Sequence, residues 1–145
     1  MVKNNLKHFM RFLWICSIVM VQTCFAIPFE QWTVQVVNNM KSGQPLFLHC
    51  KSKDDDLGVH KLRAGQQFSW KFRENIVQST LFWCYMRSNH GHIAGEVFWT
   101  NSIYAWLSYR CGNQTCVWSV RDDGLYLKDA TQNKFQAMRL WTPGP

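Results

Sequence analysis

HCKSKDDDLG, residues 49–58, gathers a histidine, a cysteine, two lysines and three consecutive aspartates into ten positions. Carboxylates and imidazoles this close together could hold a cation or pass a proton. Three adjacent carboxylates on an extended chain cannot all converge on one ion, however, and the spacing is not the D-x-[DN]-x-[DN]-G pattern of a calcium loop. Lys51, Lys53 and Lys61 can neutralise the run without a metal, and aspartate favours turns by bonding its own backbone. Asp54, Asp55 and Asp56 therefore read first as a charged turn leaving through Leu57-Gly58, next as candidate partner contacts, and last as metal ligands. An enzymatic reading, as a nuclease or metal hydrolase, would pair them with His49 or His60.

The other histidine pair is His90-Gly91-His92. Two histidines two apart on a strand point to the same side and could bind a metal. The surrounding RSNHGHIAG instead reads as an exposed loop, with solvated polar side chains. The chain has no G-x-S-x-G elbow, no H-E-x-x-H helix and no G-x-x-x-x-G-K-[ST] loop. It also lacks the H-G-L-W-P-like stretch of secreted plant ribonucleases. No catalytic residue, metal ligand, cofactor or small-molecule substrate is assigned.

The elements that position these groups repeat with a period of two. Trp32, Val34 and Val36 alternate with polar neighbours; Leu46, Leu48 and Cys50 share a face, as do Phe68, Trp70 and Phe72. Phe82, Cys84 and Met86 lie opposite Leu81, Trp83 and Tyr85. Ile103, Ala105, Leu107 and Tyr109 alternate against Tyr104 and Trp106. CVWSV and GLYLKD are split by Asp122-Asp123-Gly124, a hairpin signal. Phe135, Ala137 and Arg139 close the series before a frayed TPGP tail. About eight short strands without an amphipathic helix point to an all-β, antiparallel β-sandwich in one domain. Most of the tryptophans are expected to fill its core.

Residues 1–26 carry Lys3, Lys7 and Arg11, then the apolar run FLWICSIVMV, then QTCFA with Ala26 at the expected cleavage point. This is the anatomy of a secretory signal peptide. The apolar run ends well short of the roughly 20 residues of a bilayer span, so no membrane span is expected. The leader takes three of the sixteen basic residues and none of the nine acidic ones. Thirteen against nine leaves residues 27–145 at +4, with the basic residues scattered, which disfavours nucleic acid.

Cys50, Cys84, Cys111 and Cys116 remain after the leader, an even count that reads as two disulfides in a small secreted chain. Four cysteines allow three pairings. The polar turn GNQT between Cys111 and Cys116 favours that pair, which leaves Cys50 with Cys84. Asn113-Gln114-Thr115 is the chain's N-x-S/T sequon, a candidate glycosylation site on an exposed turn.

LFLHCKSKDDDLGVHKL (46–62) resembles the signature of the plant self-incompatibility protein S1 family, the S-protein homologues. The resemblance continues through Gly65, WKF (70–72), TLFWC (80–84), Cys111, CVWSV (116–120) and DGLY (123–126), with VVNN (36–39) upstream. It is least clear over 87–101. It implies a small, secreted, cysteine-paired β-sandwich without recognised catalytic residues. The founding members are pistil proteins that act as ligands for a receptor on incompatible pollen. On this resemblance the aspartate run is a family constant, and recognition falls to other loops. The candidates are Arg87 to Glu96, with His90 and His92, and Arg121 to Gly124, with Asp122. The expected activity is that of an extracellular ligand for a cell-surface receptor protein. A carbohydrate- or cell-wall-binding module, using exposed aromatics on a sandwich face, is the alternative.

Overall fold

Alternation sets the architecture. Val34 and Val36, Leu46 and Leu48, and Cys84 and Met86 are buried, while the residues between them are more exposed; Trp118, Val120, Leu125 and Leu127 are buried too, with Ser119 beside them. Burying one face of these strands requires two sheets with their apolar sides together. The computed structural model describes residues 30–74, 79–100 and 105–144, and the leader read over 1–26 lies outside them.

The elements are β1 (Gln31–Asn38), β2 (Leu46–Lys51), β3 (Asp56–Leu62), β4 (Gln67–Arg73), β5 (Leu81–Ser88), β6 (Gly91–Trp99), α1 (Trp106–Arg110), β7 (Thr115–Arg121), β8 (Gly124–Asp129) and β9 (Lys134–Leu140). One sheet has the order β4-β1-β7-β8-β9, the other β3-β2-β5-β6. All pairings are antiparallel except that of β1 with β7, which run parallel. The fold is the expected all-β sandwich, with one parallel pair inside it.

Three local expectations are corrected. The segment expected as a strand around Ala105–Tyr109 is the short helix α1: Leu107 is buried and Tyr109 exposed. Alternation had put them on one face, but two helical positions differ by about 200°, so one can bury while the other is solvated. Ile103 and Tyr104 lie outside the described residues. RSNHGHIAG is not a loop but a tight hairpin between β5 and β6, with His92 on β6. The bulge opposite Phe82 and Trp83 lets consecutive Val97 and Phe98 both face the core. The TPGP tail is not frayed at its start: Thr142 pairs with His92 through both backbone groups, at 2.9 and 3.0 Å.

Trp118 joins the sheets. Its indole N–H donates to the Val97 carbonyl at 2.8 Å in the core. Phe72 lies against Phe82 and Phe98 with ring centroids 4.6 Å from each, and Trp32 packs on Phe98. Cys50 and Cys84 face each other across β2 and β5 and are bonded within one sheet. Cys111 and Cys116 close the turn between α1 and β7.

Candidate functional site

The aspartate run forms the turn from β2 to β3. The Ser52 hydroxyl accepts the backbone N–H groups of Asp54 and Asp55 at 3.3 and 2.9 Å, and Ser52 N–H donates to the Asp55 carbonyl at 2.8 Å. Asp56 alone of the three carboxylates ties strands together. It accepts the Gly58 N–H at 2.9 Å and meets His49 Nε2 at 2.6 Å and Lys51 Nζ at 3.2 Å, both on β2. The Gly58 bond, then the His49 contact, hold its carboxyl far below the usual aspartate range. Asp54 and Asp55 instead line a surface cavity of about 530 Å³ with Lys53, Arg73 and Trp83. His60 is not part of this group: its Nε2 bonds the Leu57 carbonyl at 2.8 Å and its ring stacks on Phe68 at 3.7 Å. Among the described residues no three His, Cys, Asp or Glu side chains converge to hold a metal ion.

At the opposite end of the sandwich the remaining candidates meet. β1 and β7 run parallel, so the loop after β1 and the β7–β8 turn emerge together, and the β5–β6 turn reaches the same end. Asp122 accepts the backbone N–H groups of Lys41 at 3.0 Å and Ser42 at 3.2 Å, and also the Ser42 hydroxyl. His90 Nε2 lies 3.2 Å from both Asp122 Oδ1 and Ser42 Oγ. The Ser42 hydroxyl bond comes first among the causes that lower the Asp122 carboxyl below its ordinary 3.8.

Serine, histidine and aspartate side by side invite comparison with a hydrolytic triad. There the imidazole stands between its partners, one ring nitrogen to each, and the serine proton goes to histidine. Here one nitrogen faces both, and the serine hydroxyl donates to the carboxylate. The arrangement is a clip between three loops. Beside it Asn39, Lys41, Ser119, Arg121, Asp122 and Asp123 line a cleft of about 660 Å³. Arg121 lies over the rings of Tyr126 and Phe135, at 4.4 and 4.6 Å.

The structure thus brings His90, Arg121 and Asp122 to one end, with Asp54 to Asp56 at the other. Arg87 and His92 stand opposite each other on β5 and β6, on the outer face of the four-stranded sheet. Ser42 was not legible as a partner of Asp122; only the turn-forming Ser42-Gly43 pair hinted at its place. The Arg139–Glu96 ion pair at 2.9 Å, which links β9 to β6, carries no local sequence signal.

The sequon lies on a turn suited to exposure. Asn113 and Gln114 both adopt left-handed backbone, with φ of 49° and 51°, and Thr115 N–H donates to the Gly112 carbonyl at 2.9 Å. This closes a two-residue turn inside the Cys111–Cys116 bridge.

Comparison with known proteins agrees with this architecture. Residues 33–141 match the family described as plant self-incompatibility protein S1. S-protein homolog 1 of Arabidopsis thaliana is 45% identical over 115 residues, covering 79% of this chain and 74% of that protein. Self-incompatibility protein S1 of Papaver rhoeas is 31% identical over 107 residues, covering 74% and 75% of the two chains. A solved structure of SPH (self-incompatibility protein homologue) proteins, described as small, highly stable and secreted from plants, superposes with a TM-score of 0.62. It shares 17% identity and covers 81% of this chain and 100% of that one, a likeness of fold. With the two-sheet fold, the cysteine pairs and the match over 33–141, the chain belongs to the plant self-incompatibility protein S1 family of S-protein homologues.

Proposed function

We propose that this protein is exported after loss of residues 1–26 and acts outside the cell as a ligand, binding a cell-surface receptor protein in self-pollen rejection or a related cell–cell signal. The observation that carries the reading is membership of a family that includes a self-incompatibility protein of Papaver rhoeas. Two disulfides suit an oxidising compartment. Neither the His49–Asp56 contact nor the Ser42–His90–Asp122 clip has the geometry of an activated nucleophile, so we read the protein as non-enzymatic.

The receptor contact is assigned to the loop end built by Lys41–Ser42, His90 and Arg121–Asp123. Three separate chain segments meet there, beside a cleft of about 660 Å³. Loops carried on a rigid two-sheet frame can change sequence without cost to the core. Asn113 lies on the opposite end, so a glycan there would leave this contact free.

Cross-linking to intact cells tests the assignment. Arg121→Ala and Lys41→Ala together should abolish a receptor cross-link that the unaltered protein makes, with the thermal midpoint within a few degrees of the parent. An undiminished cross-link would place the contact elsewhere.

A further inference from the structure

The outer face of the four-stranded sheet carries side chains that the core does not need. Across β3, β2, β5 and β6 the register gives one row of Lys61, Phe47, Arg87 and His92 and a second of Val59, His49, Tyr85 and Ala94. A third row holds Asp56, Lys51, Trp83 and Glu96. Val59 is 69% exposed, Tyr85 42% and Trp83 40%. Large apolar side chains left in water on adjacent rows of a sheet mark a binding surface more than a packing accident.

The charges on this face are not balanced within it. Its two carboxylates are already satisfied, Asp56 by His49 and Lys51 and Glu96 by Arg139. Lys61 and Arg87 have no carboxylate partner among the described residues. They lie over the one Phe47 ring, with Nζ 5.2 Å and Cζ 5.3 Å from its centroid. Beside them a cavity of about 300 Å³ is lined by Phe47, Arg87, Ser88, Asn89 and Gly144. A guanidinium, a hydroxyl and an amide around a small pocket suit an anionic group.

We propose that this face binds a uronate-bearing oligosaccharide. Arg87 and Lys61 hold the carboxylate at the Phe47 corner, and the exposed Tyr85 and Trp83 rings stack on neighbouring sugar rings down β5. Charge complementarity selects an acidic ligand; the exposed rings select a sugar over a purely ionic polymer. Tyr85 stands on the open sheet, and Trp83 is exposed at the rim of the surface cavity that Asp54 and Asp55 also line. Protein anchors bind by filling sockets, whereas a sugar ring needs only a flat partner. The pocket adjoins the loop end assigned to the receptor, since Ser88 and Asn89 lead into His90; its test uses purified protein without a receptor.

The full chain, expressed in an oxidising secretory host and purified from the medium, would be titrated with an oligogalacturonate while tryptophan fluorescence and amide NMR shifts are followed. Shifts should centre on β2 and β5. Affinity should fall about tenfold or more in Lys61→Gln/Arg87→Gln and in Tyr85→Ala, and on methyl-esterifying the ligand. Both substitutions lie at exposed positions, so retained NMR dispersion shows that the variants fold. No binding of oligogalacturonate at millimolar concentration would overturn the proposal. So would shifts that map to another surface. Equal binding of polyglutamate that ignores Tyr85→Ala would overturn it in favour of a charge-reading peptide site.

Discussion

Single side chains in this molecule act mainly by closing what the strands leave open. Asn38 is fully buried; its amide donates to the Gln44 and Leu62 carbonyls at 2.9 and 3.0 Å, and its oxygen accepts Met40 N–H. A small polar side chain in the core is affordable there because three backbone groups of the loop end depend on it. Trp118 plays the corresponding part between the sheets. Trp118→Phe keeps a large ring but leaves the buried Val97 carbonyl without its donor, and should cost about 1–3 kcal/mol in denaturant unfolding. Trp118→Ala adds a cavity and should cost about 3–5 kcal/mol. Equal losses for the two variants would mean that the hydrogen bond, rather than the ring, carries the effect. At this scale the sequence was informative about apolar positions and silent about polar ones. Alternation put Trp32, Val34 and Val36 on one face, and all three are buried, whereas nothing in the one-dimensional order shows that Asp122 reaches Ser42, 80 positions away.

At the scale of elements, the hairpin of β5 and β6 decides the shape of the loop end. Gly91 has φ of 121°, and a Cβ there would stand 2.1 Å from the Thr142 carbonyl oxygen. Gly91→Ala is therefore strained in backbone and forces the terminal segment off β6. The expected outcome is loss of hydrogen-exchange protection at His92 and Thr142, with the β2–β5 pairing retained; unchanged protection at both amides would refute the clasp. Seven of the expected strands form: five were read from alternation, and β7 and β8 as short branched or aromatic runs on either side of the Asp122-Asp123-Gly124 turn. β3 was missed since Asp56–Leu62 buries little besides Leu62 and presents Lys61 and Val59 outward, so its pattern resembles a charged loop. β6 was missed because its bulge breaks the period and His90-Gly91-His92 reads as a turn. α1 was mistaken for a strand because five residues are too few to separate the two periods.

The whole molecule is a two-disulfide frame stabilised by carboxylates that must stay ionised. The Cys50–Cys84 bridge spans 34 positions and the Cys111–Cys116 bridge 5. On chain entropy they contribute roughly 3–4 and about 2 kcal/mol. Replacing both members of the first pair by alanine should therefore lower the denaturant midpoint more than replacing both members of the second. Asp56, Asp122 and Asp129 are each held below the ordinary 3.8, chiefly by the Gly58 N–H, the Ser42 hydroxyl and the Thr131 hydroxyl respectively. A folded value below the unfolded one means that these contributions are whole above pH 3.8 and are lost as pH falls through the lowered values. Unfolding free energy should thus decline on acidification below about pH 4, and less steeply in Asp129→Asn. A curve of the same slope in that variant would remove Asp129 from the acid response. The central claim, an extracellular ligand with a receptor, is tested most directly by saturation binding. Labelled, disulfide-intact protein would be titrated onto intact plant reproductive and vegetative cells. Saturable binding to one cell type, displaced by unlabelled protein and lost on reduction, is the expected result. Folded protein that binds no cell type saturably would contradict it.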